Sequence, residues 1–256
     1  MHAHPAAPGA LTALLVGLAA VAVVAYLAAA VRSTRSGRGW PVVRSACWVG
    51  GCAALAAPAL LGASGSPGGF VEHMREHVLV GMVAPTLLAL ARPATLALRT
   101  LSPVPARRLA RVLGSRPVAV VAHPVVAGAL TAVPLWLLYT TPLGTIVLSD
   151  AVLHTLLLGH FVAAGYLLAG STLELEPTRH PHPALLRGAV LVATAAAHAA
   201  LAKWIAVHPP AGVAPGEALE GARLMWTVGD GVELVLLAVF FVRWTRSRAR
   251  VRALTA

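Results

Sequence analysis

Residues 70–85 read FVEHMREHVLVGMVAP, and the apolar sequence continues to residue 91. Glutamates, histidines and an arginine occupy the first two turns of this stretch, and an apolar run follows them. A helix of about 20 mainly apolar residues is long enough to cross the roughly 30 Å hydrocarbon core of a bilayer. The stretch therefore predicts a membrane span over 71–91 that carries ionisable side chains at its beginning.

Similar apolar runs recur along the whole chain of 256 residues, of which 58% are hydrophobic and only 11% are charged. A typical soluble domain has about 25% charged residues. We predict an all-α polytopic membrane protein, a seven-helix transmembrane bundle that forms a single integral membrane domain over 1–256. The predicted spans are 10–31, 42–62, 71–91, 120–140, 149–170, 185–206 and 222–243.

The basic residues alternate between the predicted loops, and this alternation predicts the orientation of the bundle. Arginines crowd the first, third and fifth loops and the tail after residue 243, whereas the second and fourth loops have no basic residue. By the positive-inside rule, the N-terminus lies outside and the C-terminus inside. The sequence before the first span has no Lys or Arg, which is typical of an uncleaved first helix and not of a secretory signal.

The net charge of +11 has the same explanation. It indicates the topology and contact with anionic membrane lipids, so we expect no nucleic-acid partner. Within the third loop, the stretch PVPARRLARVLGSRP at 103–117 alternates basic and aliphatic residues at helical spacing. This pattern predicts a short helix that lies on the inner membrane surface.

Several spans carry ionisable residues into the membrane from the predicted outer side. An Asp at the centre of a membrane helix costs at least about 2.5 kcal/mol, so such side chains are expected to face the bundle interior. We predict that these residues meet at a similar depth, in one pocket that opens to the outer side. They are His73, His77, His154, His160, His198, Asp230 and Glu233.

The chemistry of these side chains favours metal binding. Imidazole binds copper, zinc and haem iron, and thioether sulfur, available here in Met74 and Met82, favours Cu(I). Asp230 and Glu233 would then orient the imidazole rings by accepting their N–H groups. The alternative for each histidine is a hydrogen bond between helices, and Asp230 could form a structural ion pair with Lys203.

Helical spacing qualifies this prediction. His73 and His77 are four residues apart, so they share one face of a helix. His154 and His160 are six residues apart, about 120° around a helix, so they do not both point squarely at one ion. Pro85 lies inside the third span, where it removes a backbone hydrogen bond and can kink the helix.

The chain also resembles a known family in five stretches, namely EHMREHVLVGMVAPTLLALARPATLALR at 72–99, HPVVAGAL at 123–130, HTLLLGHFVAAGYL at 154–167, AAHAALAK at 196–203 and GARLMWTVGDGVELVLLAVFFVRW at 221–244. They are similar to the CtaG-type assembly factors of caa(3)-type cytochrome c oxidase, seven-span proteins of bacteria. The family pattern falls on the same histidines and acids that the depth argument selects. The resemblance implies a multi-pass protein of the bacterial plasma membrane that matures a haem–copper oxidase, with the oxidase subunits as partners and a role in copper handling.

The leading hypothesis is therefore an assembly factor that binds copper and hands it to cytochrome c oxidase. Three alternatives stay open: a membrane oxidoreductase with haem between His154 and His198, a copper or proton transporter, and a structural scaffold for the oxidase. The sequence has no Gly-rich phosphate loop, catalytic triad or zinc-protease signature. We expect a protein that is not an enzyme.

Overall fold

The computed structural model describes residues 8–61, 69–177 and 181–255, and all regular elements within these ranges are helical. The loop at 62–68 and the last residue of the second predicted span lie outside them. The helices are α1 (Pro8–Arg35), α2 (Val42–Leu61), α3 (Phe70–Glu76), a π-helical segment (His77–Val83), α4 (Ala84–Leu90), α5 (Pro93–Thr100), α6 (Pro103–Leu113), α7 (Arg116–Val121), α8 (Pro124–Thr140), α9 (Leu143–Ser149), α10 (Ala151–Leu173), α11 (Ala184–Val207) and α12 (Pro215–Thr255).

Six helical segments of the described chain are long and apolar enough to cross a membrane: Ala13–Arg35, Val42–Leu60, Phe70–Thr100, Ala151–Leu173, Ala184–Val207 and Pro215–Ala249. A seventh candidate is the pair of α8 and α9, which are bent by 95° relative to each other. This confirms an all-α, multi-pass bundle with six to seven spans. The orientation of its termini stays a prediction from the charge pattern.

The fourth predicted span, 120–140, begins later in the structure than expected. His123 is the N-cap of α8, and its Nδ1 atom accepts a hydrogen bond from the N–H of Val125 at 3.2 Å. The helix then ends at Thr140, and α9 turns sharply away from it. A Cβ atom at Gly144 would collide with the carbonyl oxygen of Leu138. The glycine therefore allows the start of α9 to lie against the end of α8 at this bend.

The predicted surface helix is present as α6. It has no buried residue, and its aliphatic residues Val104 and Val112 are 54% and 58% exposed. Such a pattern of arginines and exposed aliphatic residues fits a helix that lies at a membrane surface.

Pro85 lies directly after a change of helix type in the third span. Proline lacks an N–H and its ring clashes with the carbonyl four residues back, which here belongs to Gly81. The chain ahead of it widens into a π-helix over His77–Val83, in which the N–H of Ala84 donates to the carbonyl of Leu79, five residues earlier. Single π-helical turns inside α-helices occur frequently at functional sites.

The end of α10 is fastened to the start of α5 by one carboxylate. Glu174 ends α10 with a left-handed backbone (φ 48°). Two residues later, the carboxylate of Glu176 accepts hydrogen bonds from the N–H groups of Ala94 (3.0 Å) and Thr95 (2.8 Å) and from the Thr95 hydroxyl. Burial raises the pKa of Glu176, and these hydrogen bonds offset part of that increase.

The described residues form three buried apolar clusters: one surrounds Tyr26 and Trp40, and the other two form apolar layers with a polar level between them. One layer consists of Phe70, Met74, Leu135, Leu138, Tyr139, Phe161, Leu201, Ala202, Ile205, Ala222 and Met225. The other consists of Ala89, Ala169, Leu173, Leu175, Leu191, Leu236 and Phe240. Along α11 and α12, His198, Asp230 and Glu233 lie between the residues of these two layers.

Candidate metal centre

The ionisable side chains form two neighbouring groups, where the sequence predicted one shared pocket. The peripheral cluster consists of His73, Glu76 and His154. The buried cluster consists of His77, His198, Asp230 and Glu233. In the peripheral cluster, and among the last three residues of the buried cluster, the potential ligand atoms all lie within 4.8 Å of one another.

The peripheral cluster joins α3 to α10. The rings of His73 and His154 have centroids 5.6 Å apart. Nε2 of His154 lies 3.3 Å from a carboxylate oxygen of Glu76, close enough for attraction but without hydrogen-bond geometry. Nε2 of His73 shares a hydrogen bond of 2.8 Å with the hydroxyl of Tyr139, which also contacts the sulfur of Met74 at 3.9 Å. These contacts hold the side chains in place.

The buried cluster joins the π-helical segment to α11 and α12. His77 and His198 are 4% and 6% exposed, and their ring centroids are 6.1 Å apart. Nδ1 of His198 lies 3.5 Å from a carboxylate oxygen of Glu233, again without hydrogen-bond geometry. Within the described part of the chain, none of the four ring nitrogens of these histidines has a hydrogen-bond partner, and neither does Oδ1 of Asp230.

Such unpaired atoms are unusual in a protein interior. Roughly 90% or more of buried polar groups form hydrogen bonds, and each unsatisfied one costs about 1–3 kcal/mol. Several of these unpaired atoms lie close together between two apolar layers, which is the arrangement expected of residues that bind a ligand. An ion bound by the nitrogens would satisfy them together.

A cavity of about 60 Å³ adjoins these atoms. Its polar lining includes His77, His198, Glu233 and the thioether of Met82, and the remainder is largely apolar. A Cβ atom at Gly229 would collide with the ring of His198 and would lie 3.2 Å from the sulfur of Met82. The glycine therefore leaves the space in which imidazole and sulfur meet. Two imidazoles, a carboxylate and a thioether form a donor set suited to a soft transition-metal ion.

His160 lies apart from both clusters. Its Nε2 is 2.9 Å from the carbonyl oxygen of Leu130, which accepts the ring N–H and so connects α10 to α8. Its assignment as a metal ligand stays a prediction. The predicted alternative for Asp230 is not observed either, because no ion pair joins it to Lys203 in residues 8–61, 69–177 and 181–255.

Sequence reasoning missed two members of the site. Glu76 had a signal, since it lies three residues after His73 and therefore on the same side of the helix. Tyr139 had none, because it lies in the apolar run of α8 and reaches His73 only through the tertiary fold.

The residues of both clusters lie within a single family match. Residues 24–247 match the family described as cytochrome c oxidase caa3 assembly factor (Caa3_CtaG). The chain belongs to this family. Membership in the Caa3_CtaG family confirms the resemblance that the sequence indicated.

Curated relatives of this Caa3_CtaG chain are mycobacterial. It is 32% identical over 176 residues to an uncharacterized protein of Mycobacterium leprae (strain TN), over 66% of this chain and 27% of that protein. It is 36% identical over 160 residues, 58% of this chain and 24% of the relative, to an uncharacterized protein of Mycobacterium bovis and to one of Mycobacterium tuberculosis. The chain thus spans about a quarter of the length of these relatives. No solved structure matches it.

Proposed function

We propose that this family member binds copper in the buried cluster and hands it to a haem–copper cytochrome c oxidase. Copper is the cargo of this process, and its release is a ligand exchange without a catalysed reaction. The family description supports oxidase subunits as the receiving partners. The apolar spans support a multi-pass location, for which the bacterial plasma membrane is the proposed membrane.

The observation that carries the proposal is the set of unpaired ring nitrogens on His77 and His198. Both rings are almost fully buried, and among the described residues they lack hydrogen-bond partners. A structural histidine would be expected to bond a carbonyl of a neighbouring helix, as His160 does with Leu130. The contrast between these histidines favours a ligand role for His77 and His198.

The donor set favours copper over other cargo. Imidazole accepts both zinc and copper, but a thioether such as that of Met82 is a soft ligand that favours Cu(I). The carboxylates of Asp230 and Glu233 supply negative charge beside the ion. They also can hold the imidazole rings in orientation, as carboxylates do around many metal sites.

Two features weigh against the alternatives. The cavity of about 60 Å³ is far smaller than the roughly 300–1,000 Å³ of pockets that hold larger organic ligands, which disfavours haem. The apolar layer that contains Leu191, Leu236 and Phe240 lies next to the buried cluster, before His198 on α11 and after Glu233 on α12. A layer of this kind disfavours a continuous polar path for transport.

The test compares the double variant His77→Ala/His198→Ala with the wild type. Each protein is purified in detergent, loaded with Cu(I) under reducing conditions, and dialysed against a competing chelator. We expect the wild type to retain copper and the double variant to lose it. Equal retained copper in the two proteins would refute the proposed site.

A matched control keeps this test interpretable. His208 is exposed and stacks on Trp204 at a ring-centroid distance of 3.7 Å, and neither residue belongs to either cluster. His208→Ala should retain copper as the wild type does. If the double variant keeps its copper and only melts at a lower temperature, the histidines are packing groups and the scaffold hypothesis is favoured.

A further inference from the structure

We infer that the peripheral cluster is a second copper site, which receives the ion and passes it to the buried cluster. This inference rests on the proposed function and adds a route to it. It assigns copper-binding roles to His73, Glu76 and His154. The ion then moves from the level of His73 to the level of His77, four residues further along the chain.

The two clusters differ in access. The side chains of His154 and Glu76 are 26% and 24% exposed, whereas those of His198 and Glu233 are 6% and 15% exposed. An ion from outside the bundle therefore meets the peripheral cluster first. The buried cluster adjoins the cavity through His77, His198 and Glu233.

The two clusters are also one short step apart. His73 of α3 and His77, the first residue of the π-helical segment, are four residues apart, which corresponds to a rise of about 6 Å along a helix. Each faces a histidine from another helix, His154 at 5.6 Å and His198 at 6.1 Å between ring centroids. An ion can thus leave one imidazole pair for the other over about one helical turn.

The transfer is a pure exchange of ligands. The bonds from Cu(I) to the nitrogens of His73 and His154 break as bonds to the nitrogens of His77 and His198 form. No electron moves, and the copper stays Cu(I) throughout, so no oxidant or reductant is needed for the step.

The contacts of the free side chains set the direction of transfer. In the peripheral cluster, Nε2 of His73 already shares a hydrogen bond with the hydroxyl of Tyr139, whereas Nε2 of His154 is buried and unpaired among the described residues. In the buried cluster, both ring nitrogens of His77 and both of His198 lack hydrogen-bond partners within the described chain, so this cluster offers an ion more unpaired nitrogens. The sulfur of Met82 adds a soft ligand to that second site only.

The kinetic test measures how fast the protein takes up Cu(I) from a weak chelator under anaerobic conditions. The variant His73→Ala/His154→Ala should reach the same retained copper as the wild type, but its uptake should be at least about 10-fold slower. The control His208→Ala, at an exposed histidine that stacks on Trp204, should take up copper at the wild-type rate. Wild-type uptake in the His73→Ala/His154→Ala variant would overturn the inference.

An equilibrium test uses the buried-cluster variant His77→Ala/His198→Ala. It should still bind Cu(I) at the peripheral cluster, at least about 10-fold more weakly than the wild type. This residual binding should disappear when His73→Ala and His154→Ala are added. If the residual binding persists in the fourfold variant, the peripheral cluster is not a copper site.

A milder variant covers the case in which the double variant fails to fold. Glu76→Gln keeps the size of the side chain and removes its charge, and it should slow uptake without lowering the retained copper. The outcomes also separate the two proposals. Normal uptake in every peripheral variant, combined with loss of copper from His77→Ala/His198→Ala, overturns only the relay, whereas retained copper in the latter overturns the proposed function.

Discussion

The substitution Gly229→Ala tests the geometry of the buried cluster with a single methyl group. The added Cβ would collide with Cε1 of His198 and would lie 3.2 Å both from Nδ1 of that ring and from the sulfur of Met82. Since α12 and α11 are packed against each other here, the ring and the sulfur must move apart. We expect the substitution to impair copper binding directly.

The magnitudes follow from two opposing effects. Inserting a methyl group into a packed region costs about 1–3 kcal/mol, and replacing a helical glycine with alanine regains up to about 1 kcal/mol. The expected loss of stability is therefore about 0–3 kcal/mol. Disturbing the orientation of a metal-binding imidazole typically lowers affinity by about 10–100-fold, so the effect on copper should exceed the effect on folding.

The assay is a competition titration of Cu(I) against a chromogenic chelator, with a thermal melt in the same detergent. Gly231→Ala is the matched control, because it lies on the same helix two residues away and a Cβ there meets no other group within 4 Å. Gly231→Ala should bind copper as the wild type does. Wild-type affinity in Gly229→Ala would refute the placement of the ion between His198 and Met82.

Two further predictions concern the fold. Tyr26→Phe should lower the free energy of unfolding by about 1–3 kcal/mol, because the buried hydroxyl donates to the carbonyl of Ala91 (2.6 Å) and accepts from Nε1 of Trp40 (3.1 Å). Reversible denaturation in detergent measures this free energy, and a loss below about 0.5 kcal/mol would contradict the prediction. Glu176→Gln should change the dependence of stability on pH. Because the pKa of Glu176 is raised in the folded state, the wild type loses stability as pH rises from the unfolded pKa through the folded pKa. The variant should lack this loss, and parallel curves of stability against pH would contradict the prediction.

The spans could be predicted because hydrophobic length decides them. The long apolar runs coincide with long helices, as with Ala184–Val207 for the predicted span 185–206, but Phe70–Thr100 and Pro215–Ala249 extend well beyond the predicted 71–91 and 222–243. Hydrophobic length could not predict the bend after Thr140, because α8 and α9 together are apolar enough for one membrane span. The bend depends on a tertiary approach between Gly144 and the backbone of Leu138.

The sequence predicts the level of a site residue along its own helix but not its neighbours on other helices. Along α11 and α12, His198, Asp230 and Glu233 lie between residues of the two apolar layers. Packing between helices places His73 beside His154 and His77 beside His198. The expectation of one shared pocket did not anticipate these two pairs.

Pairing between helices was the least predictable feature. The hydrogen bond from His160 to the carbonyl of Leu130 and the contact between His73 and Tyr139 both join residues that are distant in sequence. Neither follows from spacing along one helix. Glu76 was visible in the sequence, but only the tertiary fold placed His154 of α10 beside it.

The most direct test of the account is the X-ray absorption spectrum of the Cu(I)-loaded protein at the copper edge. The account predicts imidazole nitrogen ligands together with one sulfur ligand, and it predicts that Met82→Leu removes the sulfur contribution while the nitrogen contribution remains. A spectrum without sulfur in the wild type, or one that Met82→Leu and His77→Ala/His198→Ala leave unchanged, would contradict it.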